Sequence, residues 1–502
     1  MTPTQPLPSA RPHEQGVDAA GVLAFLDAAE LGGHELHSLV VARHGHVVAQ
    51  GWWAPYSAGR VHLMYSLSKS FTATAVGLLV DAGQLDLDAR VFDLVPTGGL
   101  PVPSRYRTLT VRHCLSMATG HLAEAFDASM QRALLEPAAE GVDPVVRAIL
   151  ARPPDREPGT VFAYNQVATY LVAAVVRAVV GGPLLDWLRP RLLDPIGIEE
   201  ALWHRTALGH ELGFSGLHVD TGAVLALGQL YLSDGRLGDR QLISPEWVRA
   251  AVTPSGLPNH DEGAQPDWRR GYGFSFWTSR HGYRGDGAYG QFALVLPEQD
   301  AVVAITAEDD DMQGVLDLVW EHLVPALGRG GDGAADDVLA ERLAGVAIPA
   351  LGSAGSGGGP REERWIPHDD DLGPGLSAVI VTSAGQDQGQ HQGQAQGQAQ
   401  TQDQTLELEL HARDGGVHRV LVGDGHWAES VLARDQWVLP VVASGGWAAD
   451  GSFAADVRVI ETPHTIQVRA TPAGAARVRW RRPPLTASDP FLSAVRQKAV
   501  EV

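Results

Sequence analysis

Residues 65–85, YSLSKSFTATAVGLLVDAGQL, are the stretch on which the reading of this chain turns. Phe71, Ala75, Leu78 and Leu79 recur at helical spacing, and Gly83 stands where a helix should stop. Ser66 and Lys69 fall at i and i+3, so at the start of that helix they share one face and the amine can touch the hydroxyl. A helix N-terminus adds free N–H groups and a positive dipole, which favour a developing oxyanion. A serine hydroxyl is a poor nucleophile until a base takes its proton. Buried lysine can be that base, whereas arginine effectively never loses its proton. The distinction matters here: of 38 basic residues only Lys69 and Lys498 are lysines. Lys498 sits in the terminal QKAVEV, whereas Lys69 sits in the most organised part of the chain.

On the N-terminal side, VDAAGVLAFLDAAEL (17–31) has helical periodicity, and HSLVVARHGHVVAQGWW (37–53) reads as two strands about Arg43-His44-Gly45. On the C-terminal side, residues 108 to about 255 read as mostly helical, broken by turns such as Glu157-Pro158-Gly159. GYGFSFW (271–277) looks like a strand, QFALVLPEQDAVVAIT (291–306) like a hairpin tipped by Pro297–Asp300, and GVLDLVWEHLVPAL (314–327) like a closing helix. The order predicts an α+β fold: an antiparallel sheet flanked by N- and C-terminal helices, with an all-helical insert. Residues 1–330 would form this catalytic-sized unit, and 331–360, with GSAGSGGGP, a Gly/Ala-rich linker. Residues 361–485 then show short candidate strands, a small antiparallel β-domain of barrel type, before a tail at 486–502. A tract at 386–404 with Gln at every even position reads as an expansion in one of its loops.

Composition narrows the partners. The chain of 502 residues carries a net charge of −21, which repels nucleic acid and anionic lipid surfaces. A single cysteine, Cys114, leaves no internal disulfide and no thiolate metal cluster. The beginning, MTPTQPLPSARPHEQGVD, lacks an apolar core of the secretory kind, so a cytoplasmic location is expected, and no apolar run of membrane-spanning length occurs. No cofactor or metal is expected, and the composition leaves the oligomeric state open.

Five segments in order carry a resemblance. The nucleophile stretch from Tyr65, LTVRHCLSMATGH, PGTVFAYNQVATYLVAAVV, ALGQLYLSDGRLGDRQLISPEWV and YRGDGAYGQFALVLPEQDAVVAIT together resemble the serine β-lactamase (class C) and penicillin-binding-protein family over roughly residues 18–327. The resemblance implies a serine hydrolase with a β-lactamase/transpeptidase-like fold, working on an ester or amide of a small molecule through an acyl-enzyme. It gives Ser66 as nucleophile, with Lys69 and Tyr164 as its proton-handling partners, the choice of base between them being open. The oxyanion hole would be the backbone N–H groups of Ser66 and Ala288. Two motifs depart from the family. Tyr164-Asn165-Gln166 places Gln166 where an asparagine is usual, and Arg284-Gly285-Asp286-Gly287-Ala288-Tyr289-Gly290 stands in place of K-T-G. Gln166, Arg284, Asp286, Gly287, Tyr289 and Gly290 are thus the expected substrate-binding residues, with Arg284 the candidate to receive a substrate carboxylate. The G-x-x-G-Q form of Gly287–Gln291 resembles the esterase and amide-hydrolase branch. β-Lactamase or D-alanyl peptidase activity, or a non-catalytic binding or sensing protein on the same fold, are the alternatives.

Other patterns carry less. Gly285–Gly290 also fits G-x-G-x-x-G, but a strand ending in proline follows it, not the helix that nucleotide binding needs. His34, His37, His44 and His46 complete no recognised ligand spacing and read as surface histidines. Gly213-Phe214-Ser215-Gly216 is not the G-x-S-x-G of a nucleophile elbow.

Overall fold

The apolar runs at 36–43 and 301–307 lack a clean alternation because both faces of the sheet they form are covered. In the computed structural model, β1 (Leu36–Arg43) and β2 (His46–Trp52) meet at His44 and Gly45, both with left-handed φ (49° and 72°), the conformation that a two-residue hairpin requires. Four strands from the far end of the sequence complete the sheet: β3 (Trp277–Thr278), β4 (Tyr283–Gly287), β5 (Gln291–Leu296) and β6 (Ala301–Ala307). The strand order is β2-β1-β6-β5-β4-β3, antiparallel throughout. Leu39, Val41, Val303 and Ile305 face one core, shared with α1 (Ala19–Gly32). Val40, Ala42, Val302 and Ala304 face another, shared with α2 (Ser68–Asp81), α3 (Gln166–Val180) and α4 (Thr221–Leu232). The expected sheet with flanking helices and a mostly helical insert is therefore present, the insert also holding short strands such as Leu217–Val219.

The structure describes residues 7–137, 141–353, 362–367, 376–383, 405–412, 415–472, 474–485 and 495–497. Among these no single helix is long and apolar enough to cross a membrane. The chain divides into two compact units, Met1–Val346 and Ala347–Val502.

α2 departs from a simple amphipathic helix. All its residues from Ser68 to Gly77 are buried, so polar Ser68, Ser70, Thr72 and Thr74 are inside and each finds a hydrogen-bond partner. A side chain at Gly77 would lie 2.5 Å from the Trp247 ring, so only glycine lets that indole close on the helix. Past α2, Gly83 is left-handed (φ 66°), ending it as expected.

Two expectations about elements are corrected. Residues 271–277 are not a strand: Gly271 (φ 120°) and Ser275 (φ 61°) break the extended run, and only Trp277–Thr278 pairs as a strand. Within the expected linker, Asp336–Ala344 forms a helix, α6, after the closing helix α5 (Met312–Leu318). Leu339 and Leu343 of α6 are buried in the core beneath β2, and Gly51 lacks the side chain that would collide with Leu343 (2.9 Å). Asp336 is anchored by His13 Nδ1 (2.6 Å) and Arg11 Nε (3.4 Å).

Among the described residues the second unit forms a 10-stranded sheet. Gly423 of Val417–Gly423 pairs with Ser444 of Trp437–Trp447, bringing strands from opposite arms of the sheet together, as in a barrel. That pairing and Glu362–Pro367 with Ala475–Trp480 are parallel, so the unit is not purely antiparallel. Phe453, Ala455, Val457 and Val459 all face its core, as their alternation predicts. The glutamine tract at 386–404 lies outside the described residues.

Candidate active site

Ser66 lies in a 3-10 turn, Tyr65–Leu67, that feeds directly into α2. Tyr65 is left-handed (φ 46°), an unfavourable conformation for a large side chain and one that persists only where packing enforces it. The Tyr65 ring meets Tyr289 edge-on at 5.5 Å in a small apolar cluster with Leu63. One helical turn on, Lys69 is 1% exposed. Its Nζ donates to Ser66 Oγ (2.9 Å) and to the Phe214 carbonyl (2.9 Å). The sequence spacing thus yields the contact it predicts. Burial pushes the Lys69 pKa from 10.5 down to about 7, against the opposing pull of Glu124 and Asp286.

Tyr164 stands two residues before α3, with its hydroxyl close to Ser66. The ring is clamped by Trp277 (stacked, 5.4 Å) and Tyr272 (edge-on, 5.8 Å), and Lys69 Nζ lies 4.8 Å from its centroid. Burial holds its pKa well above the ordinary tyrosine value, so the phenol keeps its proton at neutral pH. The middle residue of the motif is structural. Asn165 caps α3 by accepting from Ala168 N (3.0 Å) and donates to Ala163 O (2.7 Å). Gln166 opens α3 beside it.

The third motif lies along β4. A Cβ at Gly287 would sit 2.1 Å from the Met64 carbonyl, and one at Gly285 2.7 Å from Ser70 Oγ, so the strand presses directly on the nucleophile turn. That approach is what an oxyanion hole built from Ser66 N and Ala288 N requires. Tyr289 (φ 67°) and Gly290 (φ 88°) form the tight turn that follows. Arg284, the residue expected to receive a substrate carboxylate, is engaged with neighbours inside the protein. It is 0% exposed, donates to Asp286 (3.0 Å) and Ser279 Oγ (2.8 Å), and lies over the Trp268 ring at 4.5 Å. The guanidinium is thus engaged through Nε and Nη1, while Nη2 is buried with no hydrogen-bond partner among the described residues. Asp286 in turn is committed to Arg284, with burial raising its pKa against that pull.

Three contributors escaped sequence reading. The Phe214 carbonyl holds Lys69, in a segment where only glycines stand out. Glu124 receives the backbone N–H of Gln166 (3.1 Å). Gln291 donates to the carbonyls of Ala288 (3.0 Å) and Ala307 (2.9 Å), tying the turn after β4 to β6; its place in the G-x-x-G-Q pattern was the available signal. The histidine reading is also corrected in part. His37 is buried, stacked on Tyr56 (3.7 Å) and 3.1 Å from His62, and His34 is paired with Asp309 (2.7 Å). Among the described residues, Glu35, His37 and Glu308 place ligand atoms within 4.8 Å of one another, a set that could hold a cation.

A Beta-lactamase family model matches residues 37–323. Penicillin-binding protein 4 of Amycolatopsis lactamdurans is 27% identical over 334 residues, which cover 58% of this chain and 81% of that protein. Among solved structures, a penicillin-binding-protein homolog from Caulobacter crescentus superposes with a TM-score of 0.51 at 18% identity, over 64% of this chain and all (100%) of the other. EstCE1, a hydrolase with promiscuous acyltransferase activity, gives 0.51 at 18% identity, over 63% and 99%. At such identities the structural likenesses bear on the fold alone.

Proposed function

The chain belongs to the beta-lactamase family, whose members include hydrolases, and from that premise we propose that it cleaves an ester or amide of a small substrate through an acyl-enzyme on Ser66. The observation that carries this is the contact of Lys69 Nζ with Ser66 Oγ at 2.9 Å, made by a lysine whose pKa lies at about 7. At neutral pH a substantial share of such a lysine is the free amine, able to take the Ser66 proton as Oγ attacks the substrate carbonyl. Tyr164, kept protonated by burial, is suited to hand a proton to the leaving group and a poor candidate for the initial base. The negative oxygen of the tetrahedral intermediate would rest between Ser66 N and Ala288 N. Such donors contribute about 3–4 kcal/mol each when aimed at the developing charge. Water then attacks the acyl-enzyme, with Lys69 and Tyr164 returning the protons.

The convergence of Ser66, Lys69 and Tyr164 speaks for an enzyme over a binding protein on the same fold. The pairing of Arg284 with Asp286, which offsets its charge, speaks for esters and amides over carboxylate-bearing β-lactams or D-alanyl peptides. A hydrolysis screen over p-nitrophenyl esters, D-amino-acid amides and nitrocefin tests the reading. Turnover of esters or amides that stops in Ser66→Ala is expected. Activity surviving in that variant, or turnover confined to nitrocefin, would count against it.

A further inference from the structure

Glu124 is a charge that the reaction scheme leaves unused. Its side chain is exposed, yet its carboxylate is held in place: Oε1 accepts from the backbone N–H of Phe126 (2.7 Å) and of Gln166 (3.1 Å). Gln166 follows Tyr164 by two residues. The Phe126 ring packs against Phe214 (5.0 Å), whose carbonyl holds Lys69. The carboxylate is therefore tied to both segments that position the reacting groups, and its field reaches Lys69 and Tyr164 alike. Among the described residues Glu124 forms no ion pair. Beside it, Gln166 Oε1 is buried with no hydrogen-bond partner among the described residues, an acceptor awaiting a donor.

The charges around the site can be summed. Arg284 and Asp286 offset each other at 3.0 Å. In the reactive form Ser66, Lys69 and Tyr164 are all neutral. The charge of Glu124 remains, and the net −21 of the chain adds the same sign at longer range. We infer that the substrate bears a protonated amine, received by the Glu124 carboxylate and the Gln166 carboxamide oxygen while its ester or amide carbonyl lies over Ser66. This deepens the acyl-transfer reading of the Ser66 site and rests on it. Any carboxylate on the substrate would meet repulsion at the same place.

Three p-nitrophenyl esters of matched size test the inference on the full-length protein: β-alanine (cationic), butanoate (neutral) and hemisuccinate (anionic). The expected order of kcat/KM is cationic, neutral, anionic. The first step should be roughly two- to fivefold, the size of one solvated ion pair, expressed mainly in KM and narrowed by salt. Glu124→Gln keeps an oxygen for both N–H donors and removes only the charge. It should bring the three esters together, with circular dichroism reporting that the variant is folded. Equal kcat/KM for the cationic and neutral esters in a protein whose Ser66 reacts with a fluorophosphonate would overturn the inference and leave the acyl-transfer reading standing. Failure of Ser66 to react would overturn that reading, and the inference with it.

Discussion

Burial strips water from the Lys69 ammonium, and its pKa falls from 10.5 to about 7; near neutral pH both forms coexist. Catalysis needs the free amine, so kcat/KM should decline as pH drops through about 7, approaching tenfold per unit, a limb that a pH–rate profile measures directly. Lys69→Arg keeps the charge and loses the removable proton, and should lower kcat by several orders of magnitude. Stability moves with pH in the same direction. Between about 7 and 10.5 the unfolded chain binds a proton that the folded one does not, so the cost of Lys69 is complete below pH 7 and fades as pH rises toward 10.5. Lys69→Met should therefore raise Tm at pH 6 by on the order of 5 °C, with the gain shrinking at alkaline pH, as calorimetry would show. A lower Tm at pH 6 would mean that the bonds to Ser66 and Phe214 outweigh the desolvation.

At the scale of elements, the site depends on how closely β4 lies against the nucleophile turn. Gly287→Ala would drive a methyl into the Met64 carbonyl at 2.1 Å, a backbone atom that cannot rotate away. We expect kcat to fall about a hundredfold, the loss associated with one misplaced oxyanion donor, with a smaller change in KM. Gln291→Ala would leave the Ala288 and Ala307 carbonyls without their donor, costing about 1–3 kcal/mol of stability by denaturant titration. These elements were unequally legible. The helix from Ser68 and the hairpins at 44–45 and 297–300 declare themselves through spacing and turn residues, which are local signals. Residues 271–277 look extended by composition, yet left-handed Ser275 turns the chain, its backbone carbonyl receiving the Ser70 hydroxyl (2.8 Å). The surroundings of Arg284 were illegible for a similar reason. A residue's place in a motif says nothing of which way it faces, and Trp268, Ser279 and Asp286 enclose it from distant parts of the chain or from its own strand. Phe214 offered no signal, because a backbone carbonyl is chemically the same at every position.

For the whole molecule, Gly and Ala made residues 331–360 read as linker, yet α6 within them covers β2 through Leu339 and Leu343. A chain ending at Val346 should stay soluble and folded, whereas one ending at Gly330 should lose the burial of both leucines, about 1.5–3 kcal/mol each, and show a lower Tm. Comparison of the Val346 truncation with the full chain on small and bulky esters tests whether the strand-rich unit restricts access; a difference confined to bulky esters is the outcome expected of a gatekeeping role. The central claim, that Ser66 is a nucleophile activated by Lys69, is tested most directly by fluorophosphonate labelling followed by peptide mapping across a pH series. The account predicts one adduct, on Ser66, absent from Ser66→Ala and forming faster as pH rises through about 7. An adduct on another residue, or a labelling rate indifferent to pH across that range, would contradict it.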